Sequence, residues 1–282
     1  MTWEEAILCA REKEEHKELI KQCYLTDDLT WNIEEYGRSD EFSEILKIIK
    51  EYAPHAKSIV EFGAGNGIAS VNFALLGFEV LSSEPDKSSI VGTGAIRQSI
   101  LNFNVKNINV IESYAETLEE KDGCFDVVFA RQCMHHANDL GNFTKNAYRL
   151  LKPGGLFLTV RDHVINSEAN RQEFLKLHPL HKYYGGENAF SQGEYERALI
   201  NAGFKINKVL RYFDSVINFS PEKEPLQTIV KQRNDLMKKK FPKMSKFAIT
   251  RFILLTVFSL KHGKPDNDKN ITGRMYSFIA TR

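Results

Sequence analysis

Glu61 closes the apolar run Ser58-Ile59-Val60, and Gly63, Gly65 and Gly67 follow it at alternate positions. Glycine has no Cβ, so such a stretch can turn sharply and bring its backbone close to a ligand. Apolar residues at helical spacing resume at Ile68, Val71 and Leu75, so the turn also offers the free amide groups of a helix start. Residues of these types, spaced in this way, hold a nucleotide-like molecule. A dinucleotide fingerprint reads G-x-G-x-x-G, and its third glycine would fall at Ile68. No Gly-Lys-Ser/Thr ends the turn, which sets a P-loop aside. A carboxylate at Glu61 would repel a pyrophosphate in a partly buried site. It suits instead a ligand that carries ammonium and sulfonium groups and no phosphate.

S-adenosylmethionine (SAM) is such a ligand, and the wider sequence agrees with it. Glu61-Phe62-Gly63-Ala64-Gly65-Asn66-Gly67 resembles the first motif of class I SAM-dependent methyltransferases of the small-molecule, type 11 kind. Glu84, in Ser83-Glu84-Pro85-Asp86, ends the next apolar run, 17 residues past Gly67. Phe125-Asp126-Val127-Val128-Phe129-Ala130 is similar to the family's fourth strand, and Leu150-Leu151-Lys152-Pro153-Gly154-Gly155 to the turn before its fifth. The resemblance runs from about Glu41 to Phe204, with Gly273–Ala280 as the expected last strand. It implies a Rossmann-like, doubly wound, mostly parallel seven-stranded sheet. It also implies that the acid at Glu84 takes both ribose hydroxyls, for which two carboxylate oxygens are well suited. Glu61, Gly63, Ala64, Gly65, Asn66, Gly67, Glu84, Pro85, Tyr114, Ala115 and Arg131 are the cofactor-binding candidates. One departure stands out. The family often has Asp-Ala-Glu after its third strand, and here Ser113-Tyr114-Ala115-Glu116 puts Tyr114 in the place of the adenine-binding Asp.

Methyl transfer is a displacement at an already activated carbon, so position and orientation do most of the work. Oxygen and most nitrogen acceptors must also lose a proton, and histidine is the usual base near neutral pH. Three groups of histidines follow strand ends. His136 follows strand four beside His135, where a packed or helix-starting role competes with catalysis. His163 follows strand five beside Asp162, which can orient it, although neighbours in sequence usually point apart. His181 lies in His178-Pro179-Leu180-His181-Lys182-Tyr183-Tyr184-Gly185-Gly186-Glu187-Asn188. That stretch is expected to line a polar pocket for a hydroxylated acceptor, or else to be a Gly-Gly turn among packing aromatics. His163, His181 and His136 are the candidate bases. Arg131 either contacts a carboxylate of the ligands or pairs with a protein acid. Asn66 either bonds the cofactor or starts the helix. Cys133 is expected to be a small buried residue, because methyl transfer from SAM needs no nucleophile. No metal ligands are assigned.

The elements that must position these residues alternate: strand 58–62, helix 67–76, strand 78–83, helix 87–101, strands 108–112 and 125–130, helix 139–151 and strand 155–161. Alternation of this kind builds a parallel sheet with helices on both faces, and ligands bind beyond its carboxyl edge. Residues 3–24 and 40–52 read as helices, with a turn-prone stretch from Asp27 to Arg38 between them. After the fifth strand the text is irregular to Ser191, where Ser191-Gln192-Gly193-Glu194 is a capping box for a helix ending at Gly203, and strand 204–212 follows. The expected divisions are an N-terminal helical cap (1–52), a SAM-binding core (53–221), a helical insertion (222–270) and a last core strand (271–282).

The 282 residues carry a net charge of +1, so no whole-molecule field favours nucleic acid, and none is expected as partner. Four cysteines without zinc or redox spacing, and a charged N-terminus without a secretory signal, suggest a cytoplasmic protein. Between Glu222 and Lys264, 11 Lys/Arg face three acids around the apolar run from Phe247 to Leu260. That run is shorter than the roughly 20 residues that span a bilayer. It is expected to be a lid helix over the site, or else a peripheral membrane contact through 238–264. The sequence therefore points to SAM-dependent methylation of an oxygen, or a nitrogen, on a small polar metabolite or glycan. A lipid or membrane-linked acceptor, or a SAM-binding regulatory partner without turnover, are the alternatives, and the oligomeric state is left open.

Overall fold

A computed structural model describes residues 1–242, 248–262 and 264–282. Four helices lead into the sheet: α1 (Trp3–Arg11), α2 (Lys17–Gln22), α3 (Leu29–Gly37) and α4 (Asp40–Tyr52). Strand and helix then alternate through β1 (Ser58–Phe62), α5 (Ile68–Leu75), β2 (Glu79–Ser83), α6 (Thr93–Phe103) and β3 (Ile108–Ile111). β4 (Phe125–Arg131), α7 (Leu140–Leu150) and the long β5 (Leu151–Ile165) follow. Next come α8 (Glu168–Leu177), α9 (His181–Tyr184), the two-residue β6 (Phe190–Ser191), α10 (Gln192–Ala202) and β7 (Lys205–Leu210). α11 (Pro225–Lys240) and α12 (Ala248–His262) precede the final β8 (Met275–Thr281).

The main sheet has the order β3-β2-β1-β4-β5-β8-β7, and β6 adds to the far end of β5. β1 to β5 pair in parallel, while β8 runs antiparallel to both β5 and β7. The sheet is therefore Rossmann-like and doubly wound, with its switch point between β1 and β4, where ligands of such sheets bind. Side chains alternate across it. Ile59, Val127 and Leu158 face one layer, built with Ile33, Tyr36, Phe42 and Phe73 of α3, α4 and α5. Val60, Val128 and Phe157 face the other, built with Phe143, Ala147, Tyr195 and Leu199 of α7 and α10. Burial on both faces is why these strands read as continuous apolar runs.

Several boundaries differ from the sequence reading. The single helix expected over 3–24 breaks at Lys13, whose backbone is extended. The break lets His16 turn in, with its Nε2 3.1 Å from the Tyr183 hydroxyl. The stretch 27–38 is not a loop: Asp28 caps α3 by accepting from the Trp31 amide. Its turn-forming residues are the cap, and the aromatics behind them supply a buried face. The helix expected from 87 starts at Thr93, because the Ser88 hydroxyl bonds the amides of Ile90 and Val91 in a turn first. The region after β5 is helical, with Ser167 capping α8. The Ser191 capping box forms as read, closing α10 at Gly203.

Lys243, Lys246 and Phe247 of the basic apolar segment lie outside the described residues. α12 packs along α11, with Arg233 over the Phe258 ring at 5.5 Å. Ile249, Phe252 and Leu260 are 76%, 71% and 83% exposed. Among the described residues, none from 222–270 lines the cavity described below, so the lid reading of this segment is corrected. No helix is long and apolar enough to cross a membrane among the described residues.

Candidate active site

The carboxyl edge of β1, β2 and β4 opens into a cavity of about 630 Å3, within the usual range for a small-molecule site. Gly63 and Gly65 form its floor with φ of 62° and 56°, in the left-handed region that favours glycine. A Cβ on Gly63 would sit 2.4 Å from the Cys133 Sγ, while one on Gly65 would meet no protein atom nearer than 4.0 Å. Gly65 therefore faces open space, the space a ligand fills. Ala64 and Asn66 also line the cavity, whereas Gly67 sits behind it against Ile96. Gly65→Ala projects a methyl group into the ligand's volume and adds about 1–2 kcal/mol of backbone strain. We expect SAM affinity, measured calorimetrically, to fall at least tenfold with the fold retained. An affinity within twofold of wild type would show that Gly65 does not approach the ligand.

Two acids flank the glycines. Glu84 accepts from the Gly65 amide at 2.7 Å and from the Asp86 amide at 2.9 Å, one bond to each oxygen. Each oxygen keeps a lone pair for a further donor. Glu61, 2% exposed, accepts from the Ser70 hydroxyl, which lies 2.9 Å from that of Ser82. Burial pushes the Glu61 carboxyl up to about 8 and that of Glu84 up to about 7. An acid raised on folding stabilises the native state fully below its unfolded value and loses that contribution as pH rises through the folded value. The ligand-free protein should therefore lose stability from about pH 4.5 to 8 through these groups. A cationic ligand that donates to ionised carboxylates reverses the loss. The thermal upshift produced by SAM should be larger at about pH 7.5 than at about pH 5.5. A shift that is flat or shrinks over this interval would argue against ionised carboxylates at the ligand.

Pro85, Tyr114 and Ala115 line the same cavity next to Glu84. Tyr114 is 57% exposed and presents an aromatic ring at the position where the family resemblance implies an Asp. Asn66 reaches away, its Nδ2 donating to the Tyr24 carbonyl at 2.8 Å and tying the N-terminal helices to the glycine turn. Arg131 borders the cavity, but its donors are engaged by the protein: Nε bonds Glu41 at 2.6 Å, Nη2 bonds Glu41 at 3.2 Å, and Nη1 bonds Gln132 at 2.8 Å. Of the two readings of Arg131, the structure has the protein acid. Burial alone would raise the Glu41 carboxyl, but Arg131 and Arg161 outweigh it and hold it below the usual value. Nothing in the amphipathic pattern of 40–52 marks Glu41 as buried. Cys133 is half-buried, with its thiol pushed well up by burial.

The opposite wall gathers histidines around one acid. Glu187 lies 3.7 Å from His135 Nε2, 3.8 Å from His136 Nε2 and 3.7 Å from His178 Nδ1. The His163 ring packs 4.9 Å from that of His135. Asp162 does not orient its neighbour His163; it accepts from His135, at 3.0 Å from Nδ1, and adjacent residues of β5 do point apart. His163 Nδ1 instead donates to the Gly273 carbonyl at 3.0 Å, and His136 Nδ1 to that of Gly186 at 3.0 Å. Burial would lower His135, but Asp162 and Glu187 outweigh it and raise it to about 9. Burial and then the charge on His135 lower His136 to about 4. The loop 178–190 reaches the cavity as expected, through His178, Tyr184, Gly186 and Glu187. His181 does not: it starts α9 and is not among the cavity's lining residues. Its place is taken by His178, three residues earlier, whose Nδ1 is 3.2 Å from the His181 amide. α1 and α2 close the cavity from above through Trp3, Leu19 and Cys23, with Trp3 against the Tyr184 ring at 4.7 Å.

A doubly wound sheet with an antiparallel penultimate position, a glycine turn without phosphate features and two strand-end acids define a nucleoside-cofactor enzyme fold of the methyltransferase type. Residues 35–209 match the family model described as methyltransferase domain. The chain belongs to that family, the class I SAM-dependent methyltransferases. Among curated proteins it is 27% identical over 160 residues to the ubiquinone biosynthesis O-methyltransferase of Caulobacter vibrioides, covering 49% of this chain and 61% of that protein. It is 35% identical over 106 residues to the mitochondrial ubiquinone biosynthesis O-methyltransferase of Rattus norvegicus, covering 36% of this chain and 30% of that one. The matches thus span less than two thirds of these relatives' lengths. The fold is shared with the YcgJ protein of Bacillus subtilis, with a TM-score of 0.52, 18% identity and coverage of 85% and 95%. It is also shared with a phosphoethanolamine N-methyltransferase of Haemonchus contortus solved with phosphomonomethylethanolamine and S-adenosylhomocysteine, with a TM-score of 0.53, 19% identity and coverage of 85% and 52%.

Proposed function

We propose that the protein transfers the methyl group of SAM to an oxygen, or in second place a nitrogen, of a small polar metabolite or glycan. The observation that carries this reading is the histidine-ringed Glu187 on the wall facing the glycine turn across one cavity. The acceptor's lone pair attacks the methyl carbon, the carbon–sulfur bond breaks with its electron pair going to sulfur, and S-adenosylhomocysteine leaves. The acceptor proton passes to His136. Its Nδ1 proton is held by the Gly186 carbonyl, so Nε2 carries the free lone pair. Its side chain is 36% exposed, against 1% for His135, which makes it the reachable ring. Glu187 offsets the charge that forms. The O-methyltransferase names of the two curated relatives favour oxygen.

The test is release of S-adenosylhomocysteine from SAM with a panel of polyhydroxylated, phenolic and amine acceptors. Acceptor-dependent release supports the reading. SAM binding with no release from any acceptor would favour a binding partner without turnover. The exposed Ile249 and Phe252, which line one surface groove with Lys238, favour a second reading, an acceptor held at a membrane surface. Co-sedimentation with anionic vesicles at low salt supports it, and no binding there removes it.

A further inference from the structure

We propose that His135, His163 and Glu187 form a binding site for one divalent transition-metal cation at the acceptor end of the cavity. One ligand atom from each lies within 4.8 Å of the other two. His135 is 1% and His163 7% exposed, and both line the cavity with Glu187. A carbonyl or carboxylate oxygen only accepts. The Nδ1 contacts of His135 with Asp162 and of His163 with the Gly273 carbonyl, each 3.0 Å, therefore place the ring protons on Nδ1. Nε2 is left as the lone-pair donor on His163, and on His135 it becomes one when a cation displaces the proton that this nitrogen directs at Glu187. A ligating histidine nearly always has its other nitrogen held by a carboxylate or carbonyl in this manner. The support goes one layer deeper. Asp162 is fully buried and also accepts from the His135 amide at 3.0 Å and from the Thr159 hydroxyl. Glu187 is steadied by the Tyr184 hydroxyl at 2.5 Å.

Two imidazoles and one carboxylate suit zinc, cobalt, nickel or iron(II), whereas calcium and magnesium prefer all-oxygen sets. Donors about 2.0–2.2 Å from a tetrahedral cation stand roughly 3.3 Å apart, so separations of up to 4.8 Å must draw in by as much as about 1.5 Å. Glu187, on a loop behind Gly185 and Gly186, has the side chain that can move. Three protein ligands leave positions open toward the acceptor space, as in catalytic rather than structural sites. There the cation would fix an acceptor oxygen and ease loss of its proton to His136. That role, unlike the site itself, rests on the function proposed above.

The experiment is titration of the chelator-stripped full-length chain with Co2+, read by visible absorption and by metal content after dialysis. SAM binding is measured by calorimetry on the same samples. We expect uptake of one equivalent by the wild type. Glu187→Gln and His163→Gln should each weaken it at least tenfold, and Asp162→Asn, which among the three proposed ligands holds His135, about 10- to 100-fold. Circular dichroism and an unchanged SAM affinity establish that the variants are folded. If Asp162→Asn fails to fold, Glu187→Gln decides alone. No stoichiometric uptake by the wild type, or equal uptake by Glu187→Gln and wild type, overturns the site. In that case the cluster is a buried His135–Glu187 ion pair, and acceptor-dependent turnover would still stand on its own assay.

Discussion

His136→Gln is expected to lower kcat by about 10^2- to 10^4-fold, the usual contribution of a positioned general base, and to leave SAM affinity unchanged. The reasoning is geometric. His136 holds its Nδ1 proton against the Gly186 carbonyl, faces Glu187 through Nε2 at 3.8 Å, and is the most open of the rings on that wall for which a proton position is fixed. Glutamine keeps a polar side chain of similar reach but offers no basic nitrogen. The expected signature is a fall in kcat with little change in the Kd for SAM, because the cofactor half is built from other segments, around Gly65 and Glu84. His181→Ala is the matching control. That ring lies off the cavity, so its turnover should stay within about twofold of wild type, as for ordinary surface substitutions. Single-turnover measurements check both. A His136→Gln enzyme with wild-type kcat would move the base elsewhere on the wall, and a strong loss in His181→Ala would mean that α9 shifts when substrates bind.

The parts of the molecule that were legible in the sequence are those whose signal is local. Glycines at alternate positions and an acid at a strand end are fixed by one turn, so residues 61–67 and 84 could be placed on neighbouring strand ends without any tertiary knowledge. The same holds for the Ser191 capping box, where the partners are three residues apart. What was not legible depends on long-range contacts. Asp162 looks like the partner of His163 because it precedes it, yet strand geometry sends it to His135, 27 residues away. Glu41 reads as one more acid on a helix of mixed charge, and only the return of β4 brings Arg131 to it across 90 residues. The His135–His163–Glu187 cluster draws on three segments separated by 24 residues or more, so no spacing rule for metal ligands could have caught it. Asp27 to Arg38 reads as a turn and folds as a helix for another reason. Its turn-forming residues are a helix cap, and caps and turns use the same side-chain chemistry.

Glu41→Ala should be the most destabilising single change near the site, by about 3–5 kcal/mol, because it leaves buried guanidinium charge without its partner. Glu41 is 1% exposed and lies between Arg131, at 2.6 Å, and Arg161, at 3.3 Å. The Tyr36 hydroxyl adds a bond at 3.3 Å, and the Arg131 guanidinium stands 5.2 Å over the Tyr36 ring. Removing one carboxylate therefore takes the shared counter-charge from two buried cations, Arg131 against the Tyr24 and Tyr36 rings and Arg161 on the Ile217 and Ser220 carbonyls. Glu44→Ala, three positions further along the same helix, is the contrast. Glu44 pairs with Lys47 at 2.9 Å on a partly exposed face, and such a pair is worth about 0–1 kcal/mol. At about 2–4 °C per kcal/mol for a chain of this size, the thermal midpoint should drop by about 6–20 °C in Glu41→Ala and by no more than about 4 °C in Glu44→Ala. Arg131 also borders the cofactor cavity, so an unneutralised guanidinium there would oppose a sulfonium ligand, and SAM should rescue the variant less than it rescues wild type. Equal midpoints for the two variants in calorimetry would mean that the arginines find other partners, and the Glu41 network would lose its place as the tie between the N-terminal helices and the site.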